Sequence, residues 1–127
     1  MGRSDPVLVV DDDPGMLRAL NRLLCQHGFE AILFSSAEEL EQHADIANAL
    51  CIILDINLNL RSGIDLRHQL KARGVLVPVI FITGNETPSV REAAILSGCV
   101  AFLTKPFAAH ELIVPLREVS DPAQRVT

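Results

Sequence analysis

Short apolar segments alternate with segments of helical periodicity along most of the chain. Apolar runs lie at residues 7–10, 31–34, 49–56, 77–82 and 100–103. Their β-branched and nearly continuous apolar character predicts strands that are buried on both faces. Between them, apolar residues recur at helical spacing, as in the stretch from Met16 to Leu24, which predicts amphipathic helices. The alternation predicts an α/β fold, in which a doubly wound parallel sheet carries helices on both faces.

Capping residues mark where the helices begin and end. Asp13 precedes a proline and predicts the start of the first helix, which Gly28 ends. Ser36 and Glu39 form a capping-box pattern that predicts a second helix through about residue 47. The segment 57–63 predicts a loop before the third helix, and a fifth helix begins near residue 108.

Length and charge restrict the function classes that need to be considered. The chain has 127 residues, the size of one domain, which we expect at 6–119, followed by a polar tail or the start of a linker at 120–127. The 49% apolar and 21% charged residues are typical of a globular protein. Eleven basic against sixteen acidic residues give a net charge of −5. This balance argues against direct binding to nucleic acid, because phosphate contacts need a basic face.

The sequence shows no pattern of membrane insertion or secretion. The longest apolar run, 49–54, is much shorter than a membrane span, and the N-terminal segment is too short and polar for a signal peptide. The cysteines at 25, 51 and 99 are odd in number and widely spaced. This pattern is typical of reduced thiols in a cytosolic protein rather than of disulfides or a zinc site. We therefore expect a cytoplasmic protein without membrane contact.

Polar side chains follow several of the predicted strands, at the point where each strand ends. They are Asp11, Asp12, Asp55, Asn57, Thr83 and Lys105. Because the carboxyl ends of parallel strands meet at one edge of a sheet, we expect these side chains to share one basin. Clustered carboxylates repel one another, and hard oxygen ligands of this kind suit Mg²⁺. A metal, an ammonium and a hydroxyl together suit a phosphoryl group, and an aspartate can accept it as an acyl phosphate.

A family resemblance supports this interpretation. The segments 9–12, 53–57 with Gly63, 81–84 and 102–107 together resemble the receiver domain of two-component response regulators, over about residues 6–119. The resemblance implies a flavodoxin-like fold, with a five-stranded parallel sheet in the order 2-1-3-4-5 and five helices on both faces. It also implies a signalling switch rather than an enzyme, with self-catalysed phosphoryl transfer and dephosphorylation only.

The resemblance implies a role for each candidate residue. Asp55 would be the phosphoacceptor, phosphorylated by a histidine kinase or a phosphotransfer protein. Mg²⁺ would be the cofactor. Lys105 would pair with the phosphoryl group, and the Lys105-Pro106 bond would be a cis peptide. Thr83 and Phe102 would be the hydroxyl and the aromatic ring of the conformational switch. The metal ligands would be Asp11, through a water, together with Asp12, Asp55 and the backbone carbonyl of Asn57.

The resemblance implies an output domain or a separate output protein as a partner, and a homodimer is a further possible assembly.

Three positions depart from the family pattern. Asn59 stands where proline is common, and Phe102 replaces a frequent tyrosine, so its ring has no hydroxyl. Pro115 lies inside the last helix, where it predicts a kink or an early stop, because proline removes a backbone hydrogen bond.

Two other functions remain open at this stage. A degenerate receiver would act as an interaction module that never needs phosphate, although the full set of candidate residues argues against it. An aspartate-nucleophile phosphatase of the haloacid dehalogenase type would carry a second aspartate two residues after Asp55 as a general acid, and that position is Asn57. Flavin binding would rest on analogy of fold alone.

Overall fold

The computed structural model describes residues 5–120. Its main sheet consists of parallel strands β1 (Val7–Val10), β2 (Ala31–Phe34), β3 (Cys51–Asp55), β6 (Val79–Thr83) and β7 (Ala101–Thr104). Their order is β2-β1-β3-β6-β7, and β6 and β7 are the predicted fourth and fifth strands. The predicted order 2-1-3-4-5 is therefore confirmed. The carboxyl ends of the strands all lie at one edge of this sheet.

A second, smaller sheet occupies the segment that was predicted to be a loop. Strands β4 (Asn57–Leu58) and β5 (Arg61–Ser62) pair antiparallel, with Leu58 opposite Arg61. Two residues, Asn59 and Leu60, connect them as a hairpin. The loop prediction was wrong here because two-residue strands carry almost no alternation of apolar and polar residues for a sequence pattern to detect.

The five predicted helices are present as α1 (Pro14–Gln26), α2 (Ala37–Glu41), α3 (Gly63–Ala72), α4 (Pro88–Leu96) and α5 (Ala109–Ser120). The Asp13 carboxylate accepts a hydrogen bond from the Gly15 N–H, and Gly28 follows α1 with a φ of 85°. The second helix was predicted to reach residue 47 but ends at Glu41, and a short 3₁₀ helix, Ile46–Asn48, follows. The reason is that residues 41–45 offer no large apolar side chain that would bury another helical turn.

The predicted early stop at Pro115 is not observed, because α5 continues to Ser120. Its apolar face is buried on both sides of the proline through Leu112, Ile113, Leu116 and Val119. Each buried side chain of this kind contributes about 1.5–3 kcal/mol, which together exceed the cost of about 3 kcal/mol for an interior proline. A kink there stays a prediction. The predicted tail or linker, 120–127, begins with the last residue of α5 and otherwise lies outside the described residues.

The core has two layers, one on each face of the sheet. Along β1, Leu8 and Val10 point to the layer covered by α2, α3 and α4, whereas Val7 and Val9 point to the layer covered by α1 and α5. This alternation follows from the two-residue period of a strand. The sheet is thus covered on both faces, and its carboxyl edge is free to form a site.

None of the helices within residues 5–120 combines the length and the hydropathy that a membrane span requires.

Candidate functional site

Three carboxylates meet at the carboxyl edge of the sheet. Strands β1 and β3 are neighbours, with Val10 opposite Leu54, so the residues that follow this pair are placed side by side. One oxygen each from Asp11, Asp12 and Asp55 lies within 4.8 Å of the other two. Asp11 is fully buried and Asp55 is 4% exposed. Negative charges this close and this poorly solvated require a compensating cation.

Lys105 supplies part of that compensation. It follows β7, and its Nζ lies 3.1 Å from Asp11 Oδ2 and 3.1 Å from Asp55 Oδ2. Burial by itself lowers the pKa of Lys105, but its bonds to the two carboxylates outweigh burial and leave that pKa raised. The Lys105-Pro106 peptide bond is cis, as the family resemblance implies. Lys105 therefore stays a cation that bridges two of the clustered carboxylates.

The surroundings of Asp55 disfavour its negative charge. Burial raises the pKa of Asp55, the Asn57 N–H and Lys105 act against that rise, and repulsion from Asp11 adds to it. The net effect is a raised pKa, so the carboxylate form of Asp55 is destabilised in this setting. A second cation at the cluster would relieve this. The donor set consists of carboxylate oxygens, which are hard ligands, so the residues fit Mg²⁺.

The hydroxyl predicted for the site is present at the same edge. Thr83 is the last residue of β6 and is fully buried. Its Oγ1 accepts hydrogen bonds from Asn57 Nδ2 at 3.3 Å and from the Asn85 N–H at 3.1 Å. The Asn57 N–H in turn donates to Asp55 Oδ1 at 2.9 Å. Asn57 thus connects the threonine, through its side chain, to the residue predicted to accept phosphate, through its backbone N–H.

Gly63 positions Asp55 through its lack of a side chain. Its N–H donates to the Ile56 carbonyl at 2.7 Å. A Cβ on Gly63 would lie 2.3 Å from the Asp55 carbonyl oxygen, much closer than van der Waals contact allows. The backbone at the start of α3 therefore packs directly on the backbone that carries Asp55, and only glycine permits this approach.

Two further contacts at the site were not predicted from the sequence. The Asn59 N–H donates to Asp12 Oδ2 at 3.2 Å. Glu86 accepts from Thr104 Oγ1 at 2.5 Å and from Arg91 Nη1 at 3.1 Å, which connects the loop after β6 to the end of β7 and to α4. Asparagine in a turn was the available signal for the first contact, since it tolerates left-handed backbone. No sequence signal indicates the second.

The sequence of this chain matches a known protein family. Residues 7–117 match the family model of the response regulator receiver domain. The chain belongs to this family.

Relatives of this receiver domain are found among curated response regulators. Response regulator protein TodT of Pseudomonas putida is 36% identical over 115 residues, which are 91% of this chain and 51% of TodT. Nodulation protein W of Bradyrhizobium diazoefficiens is 37% identical over 107 residues, which are 84% of this chain and 47% of that protein. The receiver domain thus spans about half the length of the curated relatives it matches.

Solved receiver structures share the fold. A response regulator receiver protein from Pseudoalteromonas atlantica superposes with a TM-score of 0.86 at 24% identity, covering 92% of this chain and 98% of that one. A CheY-like receiver from Methanospirillum hungatei gives a TM-score of 0.81 at 25% identity, covering 96% and 97%. The flavodoxin-like architecture predicted from the sequence is therefore confirmed.

The predicted switch ring of this receiver domain belongs to β7. Phe102 is partly buried and lies opposite Phe81 in the sheet register. The Arg91 guanidinium lies over the ring, 5.3 Å from its centroid, and the same guanidinium binds Glu86. A cation at this distance over an aromatic face is attracted to it. Arg91 therefore favours the observed position of the ring, and the switch role of Phe102 stays a prediction.

Proposed function

We propose that this receiver domain is a phosphorylation-controlled switch that accepts a phosphoryl group on Asp55. The observation that carries the proposal is the cluster of Asp11, Asp12 and Asp55 with Lys105 at 3.1 Å from two of its members. Asp11, Asp12, Asp55 and the backbone carbonyl of Asn57 would hold Mg²⁺. The phosphoryl donor would be a phosphohistidine of a histidine kinase or of a phosphotransfer protein in the cytoplasm.

The proposed reaction is a displacement at phosphorus. A carboxylate oxygen of Asp55 attacks, a P–O bond forms, the P–N bond to the donor histidine breaks, and the imidazole takes up a proton. Bound Mg²⁺ would neutralise charge on the phosphoryl oxygens. Lys105 Nζ already contacts Asp55 Oδ2, so it is placed to pair with the phosphoryl group that replaces this contact. The product is an acyl phosphate on Asp55.

Thr83 is placed to detect this change. Phosphorylation adds about 1.5–2 negative charges at a site where three carboxylates already cluster beside the ammonium of Lys105. The Thr83 hydroxyl can donate to the new phosphoryl oxygens, and its Oγ1 is now held by Asn57 and Asn85. A changed position of Thr83 would alter the space beside Phe102 and the loop after β6. The switch would act on an output domain, a separate output protein or a second copy of the chain.

The proposal is tested by Mg²⁺-dependent labelling of the full chain with acetyl phosphate. We expect the intact mass to increase by one phosphoryl group in the wild type and in Asp13→Asn, and not in Asp55→Asn. Asp13 is the matched control because its side chain caps α1 and asparagine caps equally well. An unlabelled wild type, or labelling that survives in Asp55→Asn, would overturn the proposal.

The labelling experiment also tests the first alternative function, and a phosphatase assay tests the second. A degenerate receiver would show no labelling of the wild type; the cluster of Asp11, Asp12 and Asp55 with Lys105 argues against this alternative. An aspartate-nucleophile phosphatase would release phosphate from a phosphomonoester with steady turnover. The structure offers little for this reaction, because Asn57 replaces the general acid and its amide is bound to Thr83.

A further inference from the structure

The connection between β4 and β5 has an unusual backbone. Among residues 5–120, Asn59 is the only non-glycine residue with a positive φ, at 45°. Such a conformation is uncommon for residues with a Cβ, and asparagine is one of the few that tolerate it. Asn59 is also exposed, so packing of its side chain into a core does not explain the conformation. The conformation does determine where its backbone N–H points.

That N–H points at the acidic cluster. It donates to Asp12 Oδ2 at 3.2 Å, across 47 positions of sequence. A carboxylate has two oxygens, so a donor can hold one of them while the other remains available to a cation. Asp12 is only partly buried, and the structure gives it less enclosure than Asp11 or Asp55. The N–H of Asn59 therefore holds the most exposed carboxylate of the cluster.

The hairpin that carries Asn59 is itself anchored. Arg61, opposite Leu58 in the pairing, donates to both oxygens of Glu41 at 2.9 Å and 3.0 Å and also donates to Gln69 Oε1. These bonds connect the hairpin to α2 and to α3. A bidentate arginine–carboxylate pair fixes the relative orientation of the two side chains and also contributes to stability. The donor on Asn59 is therefore held in place before any cation binds.

We propose that the backbone N–H of Asn59 is a positioning group that orients Asp12 for Mg²⁺, an inference that rests on the metal site proposed above. Proline, which is common at this position in the family, cannot do this, because it has no N–H and its φ is fixed near about −65°. Groups that orient a metal ligand typically change metal affinity by about 10- to 100-fold. We expect the lower end here, because Asp12 remains partly exposed.

The experiment compares three substitutions by calorimetric titration of the full chain with MgCl₂, without a phosphodonor. Asn59→Gly keeps both the N–H and the positive φ, and should bind Mg²⁺ as the wild type does. Asn59→Ala keeps the N–H but strains the backbone, so its melting temperature should fall while its affinity stays near that of the wild type. Asn59→Pro removes the N–H, and its affinity should fall by about tenfold.

Two outcomes would overturn the inference while leaving the proposed function intact. One is equal affinity of Asn59→Pro and Asn59→Gly. The other is an equal loss in Asn59→Ala and Asn59→Pro, which would assign the effect to strain. A wild type that does not bind Mg²⁺ at all would instead contradict the metal site itself, so the two failures are distinguishable.

If Asn59→Pro does not fold, the amide signal of Asn59 in nitrogen–proton correlation spectra of the wild type provides the same test. Its shift should change in Asp12→Ala, and the amide should stay protected from solvent exchange when Mg²⁺ is saturating. Loss of protection on Mg²⁺ binding would show that the N–H releases Asp12 when the metal binds, and the inference would be wrong.

Discussion

Replacing Gly63 with alanine should disturb the site through the backbone alone. The added Cβ would lie 2.3 Å from the Asp55 carbonyl oxygen and 3.1 Å from the Asp55 carbonyl carbon, whereas ordinary contact begins at 3.4 Å. The atoms it meets are backbone atoms, so the start of α3 or Asp55 must move by about 1 Å. Overpacking of this kind costs about 1–3 kcal/mol, and alanine regains about 0.5–1 kcal/mol of backbone entropy. Because the atoms that must move belong to the backbone, we expect the upper end of the overpacking cost and a net loss of about 2 kcal/mol.

Gly15→Ala is the matched control for this prediction. Gly15 lies in the first turn of α1 as Gly63 lies at the start of α3, but its nearest neighbour would be a side-chain oxygen of Asp13 at 3.4 Å. This variant should therefore be neutral or slightly stabilised. In urea unfolding and thermal melts, Gly63→Ala should lose about 2 kcal/mol and about 8 °C for a domain of this size.

The displacement should also lower the rate at which Asp55 is phosphorylated. A misplacement of about 1 Å costs up to about 100-fold in rate, so labelling of Gly63→Ala with acetyl phosphate should slow far more than that of Gly15→Ala. If Gly63→Ala is as stable as the wild type and is labelled at the same rate, the close approach does not constrain the site and the reasoning is refuted.

Three further results are expected. The Arg61 hydrogen bond holds the pKa of Glu41 below its ordinary value of 4.5, so this pair stabilises the protein above that pH and stops doing so as pH falls through the lowered pKa. Arg61→Gln should therefore cost about 0.5–1 kcal/mol in urea unfolding at neutral pH. A cost that does not shrink at any point as the pH is lowered below 4.5 would contradict the assignment. Burial raises the pKa of Cys51 to about 12, whereas Cys25 is exposed, so iodoacetamide should modify Cys25 in the folded protein and Cys51 only after denaturation, as peptide mass mapping would show. Lys105→Met leaves the clustered carboxylates without their ammonium, and the free energy of unfolding should fall by about 1–3 kcal/mol in metal-free buffer. Mg²⁺ should reduce this loss. A variant that is as stable as the wild type in metal-free buffer would disprove the bridging role.

The sheet and most of the site were predictable because both depend on strong local patterns. Continuous β-branched runs indicate strands buried on both faces, and the polar residue after each strand must appear at the carboxyl edge once the sheet is parallel. Asp11, Asp55, Thr83 and Lys105 were located in this way, and the structure places all of them at that edge.

The missed features depend on contacts between segments far apart in the sequence. The length of α2 is decided by which residues the core can accept, and the capping box at Ser36 marks only its beginning. The contact from Asn59 to Asp12 needs a left-handed residue at one position of a hairpin that was expected to be a loop. The bond between Glu86 and Thr104 joins a loop to a strand end, and neither residue alone indicates the other.

The hairpin of β4 and β5 forms a sheet of its own and takes no part in the pairing of the five parallel strands. Its sequence can therefore change without shifting the register of the main sheet. Because Asn59 meets the acidic cluster at Asp12 and not at Asp55, changes at residues 58–60 would tune the response to magnesium separately from the phosphoryl chemistry. A designer could exchange these three residues, and keep Asn57 with its bonds to Asp55 and Thr83, to adjust the magnesium concentration at which the proposed switch responds.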